Sequence, residues 1–314
     1  MKKTLTFLIL VLLTISCKKE IITDWTVMSS GTSNALNSIV FPTSGTGYVV
    51  GESGTILKTT DEGTSWTAQN SGVKTTLNAV YFIDANTGYA VGAGGVILKT
   101  TNGGSSWALQ VSGNTNELFS IFFTDYNKGY AVGYKGTILT TDNGGELWTS
   151  VDSGTAEWLW SIYFTDANTG YIVGNLGIIL KTVDAGVQWT ALTSGTTKDL
   201  LCIHFPSANT GYIACGGGSI LKTTNGGTTW TSYNTLTSND LYSIYFPSQN
   251  TGYAVSWPGV ILKTTDGGKY WIKQVSNTSN GLLTVYFRDN ATGYVAGTKG
   301  TIIRTTNGGG SGSE

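Results

Sequence analysis

From Leu36 onward, hydrophobic and polar positions alternate in short runs that break off at clusters of Gly, Pro, Asn, Asp or Ser. Four such runs fill the stretch from Leu36 to Gln69 and predict strands at Leu36 to Phe41, Gly47 to Gly51, Thr55 to Thr60 and Ser65 to Gln69. Each is bounded by turn-forming residues, so the four read as one antiparallel meander. The pattern then repeats without insertion or deletion. Its Gly-Tyr pair recurs at Tyr48, Tyr89, Tyr130, Tyr171, Tyr212, Tyr253 and Tyr294, always 41 residues apart.

A fixed period near 40 with four strands per unit marks a β-propeller, in which each repeat forms a blade that buries its faces against its neighbours. Seven repeats predict an all-β, seven-bladed β-propeller. The Phe that ends the first strand and the Leu that opens it recur in every repeat, from Leu36 and Phe41 to Leu282 and Phe287. These are blade-to-blade core positions, each worth about 1.5–3 kcal/mol when buried.

The last repeat lacks its fourth strand: Gly312 stands where its Trp belongs, while Trp25 lies 41 residues before Trp66. The segment Trp25 to Met28 is therefore expected to pair with the final blade, close the ring and hide two strand edges. The propeller then covers 25–309, preceded by a leader at 1–17 and a tether at 18–24, and followed by a flexible tail at 310–314.

Between third and fourth strands the chain carries Thr-x-Asp/Asn-x-Gly-x-x-Trp: Asp61 and Trp66, Asn102 and Trp107, Asn143 and Trp148, Asp184 and Trp189, Asn225 and Trp230, Asp266 and Trp271, with Asn307 opening the last copy. This is an Asp-box. The short side chain accepts hydrogen bonds from its own hairpin, Gly takes the positive-φ position, and Trp packs beneath the turn. Asn alternating with Asp argues against a metal or catalytic carboxylate there, because an amide carries no charge.

On these residues the chain resembles the bacterial-neuraminidase-repeat propellers, and among them the photosystem II assembly and stability factor family. Its repeats share Gly-aromatic-Ala-Val-Gly followed by Ile-Leu-x-Thr-x-Asp-Gly-Gly-x-x-Trp, a match running from Trp25 to Gly309. The resemblance implies a non-enzymatic seven-bladed propeller that docks on partner proteins during assembly of a larger complex. The chain departs from the family in one respect: the family carries an arginine-rich surface, whereas Arg288 and Arg304 are the only arginines here. Two arginines also cannot form the triple clamp that a sialidase places on its substrate carboxylate.

Charged residues are 12% of the chain, and the formal charge of −1 provides no basic field for nucleic acid. Lys2 and Lys3 precede an apolar run from Leu5 to Leu13, too short to span a bilayer, as in an export signal. Leu13 to Cys17 resembles a bacterial lipoprotein cleavage box, with Thr14 as a departure from its usual pattern and Lys18 pointing to the outer membrane. The resemblance implies an exported protein of the outer membrane or cell surface, held by lipid on Cys17, and a monomer is expected. An ordinary secretory leader with an incidental Cys is the alternative. Because the tether meets a fourth strand at its start, the lipid belongs on the hairpin face, and the opposite mouth points away from the membrane.

That open mouth carries large aromatics the repeat does not require. Trp158 and Trp160 lie at the start of the fourth repeat's first strand, Phe119 and Tyr242 match Trp160 elsewhere, and Tyr134 and Trp257 occupy equivalent second-to-third turns. Together with Asp199 and Asp240 they suit a protein hot spot or a sugar ring, both of which need flat apolar area with polar rims. Plugging of the blade seams is the plainer role for Trp160 and its equivalents. The preferred expectation is docking on an envelope protein without catalysis; the alternative is carbohydrate binding or glycoside hydrolysis. Hydrolysis needs two carboxylates across a cleft, for which Glu52, Glu117, Glu157, Asp199 and Asp240 are the candidates. No cofactor or metal is expected, since a lone His204 in a core strand reads as packing. Lys58, Lys99, Lys181, Lys222, Lys263 and Arg304 share one repeat position, as a cationic ring or as solvated side chains whose stems cover apolar surface. Cys202 and Cys215 would face each other, and could oxidise, if the hairpin paired Phe205 with Tyr212; a free buried thiol suits the same positions.

Overall fold

The computed structural model of the chain describes residues 24–310. Seven four-stranded antiparallel sheets follow one another around a ring, six in simple meander order and the seventh completed by the first strand of the chain. The first blade is built from Leu36–Val40, Gly47–Gly51, Ile56–Thr59 and Thr67–Gln69. First strands of successive blades pack on one another and line the axis. The leader, Cys17 and the tether before Asp24 lie outside the described residues, as do 311–314.

The Gly-Tyr pair explains how the blades stack. Phe82 lies across Gly88, where an added Cβ would come within 2.6 Å of the ring, so only glycine fits. The adjoining Tyr faces the next seam: Tyr48 of blade one stacks on Phe82 of blade two at 4.0 Å between centroids. Trp107 closes the cluster edge-on to both, at 6.5 and 6.0 Å. Offset and edge-to-face contacts are the arrangements that aromatic quadrupoles favour.

The ring closes through its first residues. Thr26–Met28 pairs antiparallel with Ile302–Thr305, completing the sheet that contains Leu282–Phe287 and Gly293–Gly297. Trp25 is fully buried and sits edge-on to Phe287 and Tyr253, as the other Asp-box tryptophans sit in their seams. Asn307 donates to the Asp24 carboxylate at 3.0 Å, so the chain enters the fold on the Asp-box face. Arg288 and Arg304 of blade seven both bridge to Glu62 of blade one, at 3.2 and 2.8 Å, strengthening the seam where the two ends meet.

Each Asp-box is a local hydrogen-bond unit. Thr59 donates to Asp61 Oδ1 at 2.7 Å and accepts from the Gly63 amide at 2.9 Å, while Asp61 accepts from the Ser65 amide at 2.9 Å. Asn102 repeats the arrangement with the Ser106 amide at 3.0 Å, showing why amide and carboxylate interchange.

The lysine series is neither a cationic ring nor a set of free surface charges. Lys99 Nζ and the Tyr89 hydroxyl both donate to the Gly144 carbonyl, in the Asp-box turn of the next blade, at 2.7 Å each. Lys58, Lys181 and Lys222 make the same contact in their own seams. In blade three Thr140 replaces the lysine, and Tyr130 donates to the Ala185 carbonyl at 2.7 Å. Lys263 donates to the Gly310 carbonyl at 2.6 Å, so the first residue of the expected flexible tail is held against the fold.

The expected facing of Cys202 and Cys215 is corrected by the register. His204, not Phe205, lies opposite Tyr212, and a bulge between Leu200 and Cys202 sets Cys202 against Ala214 and Leu200 against Cys215. Both thiols are free. The same bulge recurs at the start of every first strand, where it turns the Asn37-equivalent residue out of the regular alternation. His204 stands between Tyr163 and Tyr245, at 5.3 and 4.6 Å, and burial pushes its pKa down to about 4.

Candidate functional site

The meander order places second-to-third turns and blade-to-blade connections together on the face opposite the Asp-boxes. In blade one this turn is a single tight bend, Glu52–Gly54, with Ser53 at φ 56° and Gly54 at φ 69°. A Cβ on Gly54 would fall 2.0 Å from the Val73 carbonyl oxygen of the next connection, so the glycine is needed for close approach. Backbone bonds tie six of the seven turns to the connection entering the same blade, as where Tyr134 N–H donates to Glu117 O at 2.8 Å, Asn175 N–H to Trp158 O at 3.0 Å and Gly216 N–H to Asp199 O at 2.8 Å. In blade six side chains do this, Ser256 Oγ donating to Asp240 O at 2.7 Å and Asn239 Nδ2 to Trp257 O at 2.6 Å. The mouth is thus a rigid frame on which a few repeat positions present variable side chains. Tyr134 and Trp257 share one of these positions, and Trp158, Asp199 and Asp240 share another.

The structure divides the aromatic candidates into two groups. Across blades three and four, Tyr134 meets Trp158 edge-on at 5.0 Å, Trp158 meets Trp160 at 5.2 Å, and Trp160 lies 4.3 Å from Phe119. Phe119, Tyr134 and Trp160 are partly buried, and Trp160 donates its Nε1–H to Asn175 Oδ1. Trp158 remains 37% exposed, and Leu176, on the adjoining turn, is 61% exposed. The second group is on blade six, where the 60% exposed Trp257 borders a shallow depression with Asp240, Tyr242 and Pro258. Leu176 went unrecognised in the sequence; its signal is an apolar residue at the turn position that holds Ser53, Lys135 and Lys299 elsewhere.

Four of the five candidate carboxylates, all but Glu157, accept hydrogen bonds from the frame. Asp199 Oδ1 accepts from the Leu176 amide at 3.0 Å, and Asp240 Oδ1 from the Gly217 amide at 2.8 Å, each reaching back to the turn of the preceding blade. Glu52 accepts from the Ala35 amide and Glu117 from the Asn78 side chain, both at 2.9 Å. Asp199 and Asp240 are exposed, so each keeps carboxylate surface towards solvent. Among the described residues, no group of three or more His, Cys, Asp or Glu side chains is arranged to hold a metal ion.

The profile of one family, described as photosynthesis system II assembly factor YCF48, matches residues 17–114, 108–198 and 187–277, well over half of the chain. The chain belongs to this family. No curated protein matches it. Among solved structures it is similar to YCF48 bound to D1 peptide, with a TM-score of 0.77 and 19% identity over 90% of this chain and 95% of that one. YCF48 from Cyanidioschyzon merolae is similar at a TM-score of 0.76 and 20% identity, covering 90% and 98%. The GH74 enzyme of Niastella koreensis follows at 0.73 and 16%, covering 91% of this chain and 55% of that one. At these identities the likenesses establish the shared propeller fold. Within that fold both arginines of this member are committed to Glu62 on the Asp-box side, which leaves the mouth without arginine.

Proposed function

We propose that this chain is an exported, lipid-anchored propeller that docks on another protein of the cell envelope through the mouth opposite its Asp-boxes, and that it performs no catalysis there. The observation that carries this reading is the exposure of Trp158 and Trp257 on a frame whose other parts are bonded into the fold. Rigid aromatic side chains lose little entropy on binding and supply the anchors around which protein interfaces form. Membership of an assembly-factor family supports a protein as the partner, as does the D1 peptide named with one structural relative. The entry of the chain at Asp24 supports an anchor on the Asp-box side, with the mouth turned away from it.

A glycan-binding mouth is the second reading, favoured by the exposed indole of Trp257 beside Asp240. Capture from solubilised envelopes, comparing the native chain with a Trp158→Ala, Trp257→Ala double variant, tests the first reading. Loss of a specific protein from the variant sample is expected. An unchanged set of captured proteins, or selective retention of the native chain on a glycan array, would contradict it.

A further inference from the structure

Charge is unevenly distributed around the mouth. In the turns and connections of blades three to six, Glu117, Asp152, Glu157, Asp199 and Asp240 face only Lys135 and Lys198. The connections entering blades seven and one, 275–282 and 28–36, contain no charged residue. The acidic sector is also the aromatic one. Phe119, Tyr134, Trp158, Trp160, Tyr242 and Trp257 all belong to it, whereas the channel rim of blades one and two presents Asn37 and Asn78.

Within this sector two exposed apolar side chains, Trp257 and Leu176, each have a carboxylate close by. Asp240 and Trp257 line the same depression. Asp199 Oδ1 accepts from the amide of the exposed Leu176 at 3.0 Å. In both places one carboxylate oxygen is fixed by a backbone donor, so the negative charge is positioned without being neutralised. A flat π-face beside a fixed anion suits a guanidinium group, which stacks on an indole and donates in its own plane to the carboxylate. Leu176, 61% exposed, and Pro258 add apolar surface beside these points.

We propose that the mouth recognises a basic, apolar segment of its protein partner, with arginine or lysine seated on the Trp257–Asp240 pair and at the Asp199 carboxylate, and aliphatic or aromatic residues resting against Leu176 and Trp158. This rests on the docking reading above and adds the chemistry of the partner. Opposite charge across the interface would speed encounter and reject acidic segments, with binding that weakens as salt rises.

The test is fluorescence anisotropy on the full chain in non-ionic detergent, using a labelled twelve-residue peptide that alternates arginine with leucine and tryptophan. Two control peptides replace every arginine by glutamate, or every apolar residue by serine. The first peptide should bind at least tenfold more tightly than either control. Asp199→Asn with Asp240→Asn should weaken it at least fivefold and flatten its salt dependence, because asparagine keeps the amide-accepting oxygen while removing the charge. Neutralising Asp142 and Glu146 on the Asp-box face should change nothing. Equal binding of the glutamate peptide, indifference to the Asp199 and Asp240 changes, or displacement of the peptide by a glucan oligosaccharide would overturn the proposal. Loss of partner capture in the Trp158, Trp257 variant but not in the Asp199, Asp240 variant would leave docking intact and remove only its charge rule.

Discussion

Trp25 lies edge-on to Phe287 with ring centroids 5.9 Å apart, the relation that Trp66 has to Phe41 at 6.0 Å within the first repeat. A residue that precedes the first complete repeat therefore acts as the missing Asp-box tryptophan of the last one. Without it blade seven would expose Phe287, and without the strand Thr26–Met28 that follows, Ile302–Thr305 would be an open edge. Replacing Trp25 by Ala should cost about 3–5 kcal/mol, the range for deleting a large buried aromatic. Urea denaturation followed by circular dichroism would measure it. A cost below about 1 kcal/mol would show that the ring does not depend on this closure.

The seam latches make a prediction about two equivalent tyrosines. Tyr89→Phe leaves Lys99 on the Gly144 carbonyl and should cost about 1 kcal/mol, a typical net value for one hydrogen bond. Tyr130→Phe removes the hydroxyl that holds the Ala185 carbonyl in a seam without the lysine, and should cost more, about 1–3 kcal/mol. In a double-mutant cycle, Tyr89→Phe with Lys99→Met should exceed the sum of its parts, because only the pair of changes strips the carbonyl of both donors. Simple additivity would show that the two donors act independently.

Asp61 makes stability depend on acid. The Ser65 hydroxyl first, then the Ser65 amide and the Thr59 hydroxyl, hold its carboxylate and lower its pKa to about 2. A lowered value means that the folded protein gives up this proton more readily than the unfolded chain. The stabilisation is thus complete above the ordinary value near 3.8 and lost as pH falls towards about 2. Asp61→Asn should keep the box, as Asn102 does, and flatten the thermal midpoint between pH 4 and pH 2 relative to the native chain. An identical fall in both proteins would assign the acid sensitivity to other carboxylates.

Cys202 and Cys215 should each take one alkylating group after denaturation without reductant, and the thermal midpoint should be the same with and without reductant. Protection of both thiols until reductant is added would contradict the register that separates them.

The repeat was readable because every core contact recurs at an unbroken spacing of 41, so the Leu, Phe, Tyr and Trp positions identify the blades and their closure by Trp25 without any distances. The lysine contacts were not readable, since their acceptor is a backbone carbonyl in the following blade that carries no residue signature. The bulge at the Asn37-equivalent position was hidden for a similar reason: Cys202 and Cys215 suit either of two registers, and only backbone geometry selects one. At the mouth, Trp158 and Trp257 stood out because the repeat does not demand aromatics there. Their separation into two groups, and the tying of Asp199 and Asp240 to turn amides, follow from how neighbouring blades meet.

Docking through the mouth is tested most directly by site-specific photo-cross-linking in the native envelope, with a benzophenone amino acid placed at Leu176, at Trp257 or, on the Asp-box face, at Tyr270. All three positions are exposed. A discrete protein adduct from Leu176 and Trp257, and none from Tyr270, is the result expected. An adduct from Tyr270 with none from the other two would place the interface on the Asp-box side and contradict the proposed function.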